Sequence, residues 1–281
     1  MIHKDMKEKK PPYRGFVTLL EQLFPLRFPI ASLSKIPGVG RIMYLMMFRH
    51  NNITLLPKDN SIEITLNKNL QPTENMILPS EIVHKFIDIS SYHFIMDFCL
   101  CREAMQCNKY PQTLGCLFLG EAIKEINPKY GHQVTAIEAH KHIKKCQEAG
   151  LIHIIGRDKI DETWLQVSSG DKLMTICNCC ECCCLWKMLP HLNEQINTRY
   201  KKMPGVTIEV TDTCTGCGTC ISACFLEGIR IIDKKAVLSD NCRGCGRCVE
   251  KCPINAIKIT IDDEYYIEKT IRNIQKSVTV T

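Results

Sequence analysis

The chain has 281 residues, 45% hydrophobic and 23% charged, which excludes a disordered or fibrous protein and allows two modest domains. Its formal charge of +6 counts 19 cysteines as neutral, and metal held by thiolates would cancel much of it, so the basic balance is no argument for nucleic acid. The opening MIHKDMKEKKPPYRG is polar and basic with no apolar run and cleavage site behind it, so a cytoplasmic protein with reduced thiols is expected. There, clustered cysteines at short spacings read as metal ligands before disulfides.

The most apolar early stretches, Gly15–Phe24 and Ile42–Phe48, are broken or bounded by Glu21, Pro25, Arg27, Pro29, Arg41 and Arg49, and no transmembrane segment is expected. The first could form an amphipathic helix beneath Lys4, Lys7, Lys9, Lys10 and Arg14. That would suit peripheral membrane contact or a partner groove, although packing on its own domain is preferred. Ile53–Leu56 and Ile62–Leu66 flank Pro57-Lys58-Asp59-Asn60 and predict a hairpin. Ser80 then reads as the N-cap of a helix carrying Ile82, Phe86 and Ile89 at helical spacing.

The first cysteine group follows: Cys99, Cys101 and Cys107 in FCLCREAMQC, then Cys116. Thr135 and Glu138 form a capping box that opens a helix through Ala136–Ala149, closed by Gly150. Two β-like runs, Leu151–Ile155 and Thr163–Val167, complete the outline of a winged-helix-like unit. Its helix carries Lys141, Lys144 and Lys145 but also Glu138 and Glu148, so nucleic-acid binding is not expected. The second group, TICNCCECCCLW, holds Cys177, Cys179, Cys180, Cys182, Cys183 and Cys184, whereas Cys146 stands alone.

Alternate residues of an extended segment face opposite sides, so Cys177, Cys179 and Cys183 are expected to share one site. The ten thiols of both groups outnumber the ligands of one tetrahedral zinc site, so one or two additional Fe-S clusters are expected. Structural zinc and a redox-active thiol pair are the alternatives. Arg102 is expected to give charge-assisted hydrogen bonds to such a cluster. His93 and His153 could be ligands but read first as hydrogen-bonded domain histidines, and Trp186 as a hydrophobic shield. Gly38-Val39-Gly40 lacks the third glycine and preceding strand of a dinucleotide site.

Met203-Pro204-Gly205 marks a boundary between an N-terminal Cys-rich domain, 1–203, and a last domain with its tail, 204–281, that opens on the strand Val206–Val210. CTGCGTCISAC from Cys214 and CRGCGRCVEKC from Cys242 share the spacing C-x2-C-x2-C-x3-C, and every cysteine recurs 28 residues later, an internal duplication. Glycines let three closely spaced thiolates wind towards one cubane face, while the fourth cysteine is expected to begin a helix and reach the other cluster. Two 4Fe-4S clusters are therefore expected, one on Cys214, Cys217, Cys220 and Cys252, the other on Cys242, Cys245, Cys248 and Cys224.

Over about residues 206–262 the sequence resembles the bacterial 2×4Fe-4S ferredoxins. Pro253 follows Cys252 as in that family, but Phe225 follows Cys224 where proline is usual. The resemblance implies low-potential transfer of single electrons between redox partner proteins, with the strands Ile229–Ile232, Ala236–Leu238 and Ile257–Ile261 walling the clusters from water. The CxCR and ICNCCxCCC motifs together resemble a group of uncharacterised 4Fe-4S binding proteins of anaerobes. The expected fold is α+β: a ferredoxin-like 2×4Fe-4S domain after a mixed, mainly helical Cys-rich domain. The expected function is iron-sulfur electron transport. A small iron-sulfur reductase, an oxidoreductase with a catalytic N-terminal cluster, is the alternative, and a redox-sensing DNA-binding regulator comes behind it.

Overall fold

Proline breaks and apolar periodicity divide the first fifty residues into short helices, α1 (Gly15–Leu23), α2 (Arg27–Leu33) and α3 (Val39–Met43), in the computed structural model, which describes residues 15–64 and 78–281. A 3-10 turn over Phe24–Leu26 carries α1 into α2, so Gly15–Leu33 is a continuous helical run of 19 residues with mean hydropathy 1.2. It is long and apolar enough to cross a membrane by length and composition only, a test that core helices also pass.

The strands β1 (Asn52–Leu55) and β2 (Glu63–Ile64) precede helix α4 (Glu81–Ile89). They form no hairpin: β1 pairs with two distant strands, and β2 pairs parallel to a strand near the C-terminus. The rest of the expected second strand lies outside the described residues. Helix α4 begins after Ser80 as expected, though the Ser80 side chain makes no capping hydrogen bond. Next come β3 (His93–Met96), α5 (Leu100–Ala104), β4 (Leu117–Leu119), β5 (Gly131–Val134) and α6 (Ala136–Glu148). The capping box on α6 is formed in both directions.

After β6 (Ile152–Arg157) the chain makes helix α7 (Lys159–Trp164) where the second β-like run was expected, because the Asp158 carboxylate accepts from the Ile160 N–H and caps it. The antiparallel partner of β6 is instead β7 (Met174–Cys179). Both lie inside a seven-stranded sheet of order β5-β3-β4-β7-β6-β1-β8, so this hairpin is no free wing. Every pairing in the sheet is antiparallel except β1 with β8 (Tyr200–Lys202), which follows α8 (Glu194–Asn197). The N-terminal part is therefore mixed, with more residues in helices than in strands, as expected, around a seven-stranded sheet.

The last domain supplies β9 (Val206–Val210), α9 (Thr219–Ala223), the hairpin β10 (Ile229–Ile232) and β11 (Lys235–Leu238), α10 (Arg247–Lys251), β12 (Ile257–Ile261) and α11 (Tyr266–Gln275). Strand β12 runs antiparallel to β9 and parallel to β2, so an N-terminal strand completes a C-terminal sheet. The main core is shared as well. Ile259 and Ile261 of β12 and Ile267 and Ile274 of α11 lie in one apolar cluster with Phe86, Ile143, Ile155 and Ile176. Phe225, the departure from the ferredoxin pattern, is 4% exposed and joins Trp186, Leu189 and Tyr200. Its ring anchors the last domain on the first.

Candidate metal centres

In the last domain each helix starts at a glycine that only a residue without a side chain adopts easily: Gly218 (φ 79°) before α9 and Gly246 (φ 80°) before α10. The preceding loops wind inward through Gly216 and Gly244, also at positive φ. Cys214, Cys217, Cys220 and Cys252 line one cavity, of about 10 Å³. Cys242, Cys245, Cys248 and Cys224 line a second, of about 20 Å³. The fourth cysteine of each run ends its helix and does not begin one, since Cys224 and Cys252 are the C-caps of α9 and α10.

Backbone N–H groups approach the sulfurs, from Gly228 to Cys224 Sγ (3.2 Å), Ala256 to Cys252 Sγ (3.2 Å) and Ala236 to Cys214 Sγ (3.4 Å). Such donors favour charged sulfur. The two quartets differ in surroundings. Cys217 is exposed, and its thiol is lowered chiefly by a hydrogen bond with Thr219. The second quartet is turned towards the N-terminal domain: Lys58 N–H donates to the Cys245 carbonyl (3.2 Å), and burial pushes the Cys245 thiol up to about 11.

The other cysteines divide into two sets. Leu117 on β4 faces Ile176 on β7, which sets Cys116 opposite Cys177, with the sulfurs 3.7 Å apart. Alternation along β7 puts Cys177 and Cys179 on one face and Asn178 on the other. Cys99 and Cys101 come from the start of α5, and Cys184 closes the set from beyond the turn. These six, together with Cys180, line a chamber of about 70 Å³ whose apolar walls include Met96, Leu100, Trp164 and Trp186. Cys184, and not Cys183, thus joins Cys177 and Cys179.

Charge in the chamber is uneven. Its hydrogen bond with Cys101 lowers the Cys99 thiol to about 6, with Arg102 adding to the effect against burial. The hydrogen bond with Cys177 and then burial push Cys116 well up, and burial raises Cys184. Metal loading must therefore release protons. Arg102 is fully buried and donates Nε to the Pro111 carbonyl (2.8 Å), Nη1 to that of Asn178 (2.8 Å) and Nη2 to that of Leu114. Burial opposes its charge, but Cys99, Cys180, Cys116 and Cys179 outweigh burial and raise its pKa. Its guanidinium acts on these thiols through charge, because its side-chain hydrogen bonds go to backbone carbonyls and not to sulfur as expected, while its backbone N–H also favours the Cys99 thiolate.

The remaining set, Cys107, Cys180, Cys182 and Cys183, has all four sulfurs within 4.8 Å of one another. Glu181, inside the run, accepts from Tyr110 (2.7 Å), Lys109 and Arg247 (2.8 Å), whose partner groups, led by Lys109 and Tyr110, outweigh burial and hold its carboxyl at about 2. Arg247 of α10 also donates to the Cys179 carbonyl (2.7 Å). One buried arginine thereby touches the run between both thiol sets and the helix of Cys248. Glu181 and Arg247 were not singled out from the sequence, although Glu181 is the one non-cysteine residue between Cys179 and Cys184.

His93 Nε2 bonds the Ile87 carbonyl (2.8 Å), and His153 Nδ1 bonds Asn178 Oδ1 (2.9 Å); neither lines the chamber. Cys146 is buried beside His142 (3.7 Å), outside both thiol sets. Asp161, also missed, does line the chamber and accepts from Trp164 Nε1 and Thr175 Oγ1, both at 2.8 Å.

Residues 207–253 match the family model of the 4Fe-4S dicluster domain. No curated protein and no solved structure matches the chain. The C-terminal module is an iron-sulfur module, and its general role is electron transfer.

Proposed function

We propose that the protein passes single low-potential electrons between redox partner proteins through two 4Fe-4S clusters in the last domain and a further iron-sulfur centre in the thiol-lined chamber. The observation that carries this reading is the pair of cysteine quartets, each around its own cavity, inside the matched dicluster segment. Cys214, Cys217, Cys220 and Cys252 would hold one cluster, and Cys242, Cys245, Cys248 and Cys224 the other. Bound there, the clusters supply one-electron redox chemistry. The chain's own residues set its direction. Exposed Cys217 offers a contact edge for a partner, and Cys224 and Cys245 of the second quartet pack against the apolar cluster that holds Cys179 and Cys184 of the chamber.

The reductase reading has one observation in its favour. The chamber, at about 70 Å³, is larger than either quartet cavity at about 20 and 10 Å³, and its seven lining thiols exceed the four that a cubane takes. A ligand position left open on such a centre could take a small substrate. The regulator reading gains nothing comparable, since the hairpin that would be its wing lies within the large sheet.

Iron and sulfide analysis with EPR of the anaerobically purified, reduced protein tests the proposal. Two coupled 4Fe-4S signals are expected, with iron and sulfide beyond the about eight of each that the module holds. The Cys116→Ser/Cys177→Ser variant should lose only the excess. Absence of iron and sulfide overturns the proposal, and about eight of each with no excess removes the chamber from it.

A further inference from the structure

We infer that Cys107, Cys180, Cys182 and Cys183 hold a single tetrahedral metal ion of the thiolate-preferring class, zinc or iron, separate from any cluster. In a tetrathiolate site with metal–sulfur bonds of about 2.3 Å, the sulfurs stand about 3.8 Å apart. Here Cys107 and Cys182 are separated by 3.7 Å and Cys182 and Cys183 by 3.4 Å. All four fall within 4.8 Å, and among the described residues no other group of three or more His, Cys, Asp or Glu is so drawn together. A cubane places four irons between its ligands and needs them wider apart. The two quartets of the module, which lie in the segment matched to a dicluster domain, are indeed not gathered in this way.

The four sulfurs come from two segments of the chain, and Cys180 stands where the group meets the chamber wall. Cys107 follows α5, and its N–H donates to the Arg102 carbonyl (2.9 Å). The other three sit in the tight turn after β7, where Cys183 N–H reaches Cys180 Sγ (3.4 Å). Leu151, Leu114 and Cys146 cover the group with apolar surface. An ion there clamps the 107–114 loop to the turn around Glu181, and through Arg247 to the module.

Metal and sulfide analysis of the anaerobic holoprotein tests this. Expected is one zinc per chain, or iron exceeding sulfide by one. The Cys182→Ser/Cys183→Ser variant should lose that ion with cluster iron and sulfide unchanged, and Cys146→Ala should keep it. X-ray absorption at the edge of the ion found, on wild-type protein, should show four sulfurs at about 2.3 Å, and at a zinc edge no metal neighbour. Iron equal to sulfide with no zinc overturns the inference, as does a variant that loses iron and sulfide together.

A different observation carries a second proposal. Of the 19 exposed large hydrophobic residues among the described residues, 11 lie between Phe16 and Met46. Phe16, Leu19, Leu23, Leu26, Ile30 and Leu33, each 43–49% exposed, line one side of the α1–α2 run, and Ile42 (59%) and Met46 (67%) extend the apolar surface. The charges are inside. Glu21 and Arg27 are buried, the guanidinium stacked 4.4 Å from the Phe24 ring and 4.3 Å from that of Phe28. Such an inverted helix has no reason to face water.

The geometry points to an anionic lipid bilayer as what covers this face. Lys35, Arg41 and Arg49 are exposed, and Glu21 is the sole carboxylate between residues 15 and 50, so the rim is cationic. The run lies flat and does not span, because Val17 and Ala31 on its other side pack into two of the protein's apolar clusters. Co-sedimentation of the full chain with vesicles of phosphatidylcholine and phosphatidylglycerol is expected, weakened by salt and by omission of phosphatidylglycerol. L19E/L26E/I30E should bind roughly tenfold less with cluster spectra unchanged. Wild-type protein that stays in the supernatant overturns the proposal, as does a wild-type dimer that the same variant converts to monomer.

Discussion

Arg102 heads the fully buried side chains by volume, and its three hydrogen bonds tie the 111–114 loop to the end of β7. It positions cysteines from three segments while leaving their sulfurs free for metal. His153 makes the opposite electrostatic demand. Buried and neutral, it bonds Asn178, and burial lowers its pKa to about 4. The unfolded chain takes up that proton near pH 6.5, so the stability it contributes is complete above about 6.5 and is lost as pH falls towards 4. Between pH 7 and 5.5 the loss amounts to about 1 kcal/mol. The unfolding midpoint of the loaded protein should fall less over that range in His153→Gln than in wild type; equal declines would refute this. At this scale the grouping of the eight module cysteines around two cavities follows from local spacing. The chamber was not legible, because Cys116 meets Cys177 across 61 residues through a strand register that no short motif encodes.

Among the elements, the internal duplication provides its own control. Gly218 and Gly246 occupy equivalent places with nearly the same φ, yet a Cβ at 218 meets nothing closer than 4.0 Å while one at 246 falls 1.9 Å from Ser61 Oγ. Gly218→Ala should therefore cost only the left-handed strain of about 1 kcal/mol. Gly246→Ala should lower the unfolding midpoint further and loosen iron at the second quartet. Thermal unfolding and iron retention compare them, and equal effects would show that the Ser61 contact does not matter. The elements misread from sequence share one cause. Pro57–Asn60 is a genuine turn signal, but a turn does not choose partners, and β1 and β2 went to different sheets. Thr163–Val167 looked β-like on composition, whereas the Asp158 cap and the buried Trp164 favour helix. The capping box at Thr135, a wholly local device, was read correctly.

For the molecule as a whole, the α+β class was legible, but the seven-strand order was not, since sheet order rests on pairings far apart in sequence. Nor did the sequence indicate that the chain returns to its first domain after the module. Helix α11 packs into the shared core, Val278 and Val280 are 2% exposed, and Asn52 donates to the Asn273 carbonyl (2.6 Å) and Arg157 to that of Ser277 (3.2 Å). Burial of Ile267, Ile274, Val278 and Val280 contributes on the order of 10 kcal/mol, comparable with the whole net stability of a domain. Deleting residues 263–281 should then abolish soluble N-terminal domain, measured as yield and unfolding midpoint; an unchanged midpoint would contradict the shared core.

The pairing of β2 with β12 has a last consequence. Sewn to its neighbour by a strand at one edge, by the Phe225 ring at another and by α11 beyond, the module is no swinging arm. Because electron tunnelling falls steeply with distance, a fixed seam makes the rate between its centres a constant of the fold, unaveraged over domain motion. On the function proposed above, any gating would occur where partners arrive, and the internal hop would run at the same speed whichever partner is bound.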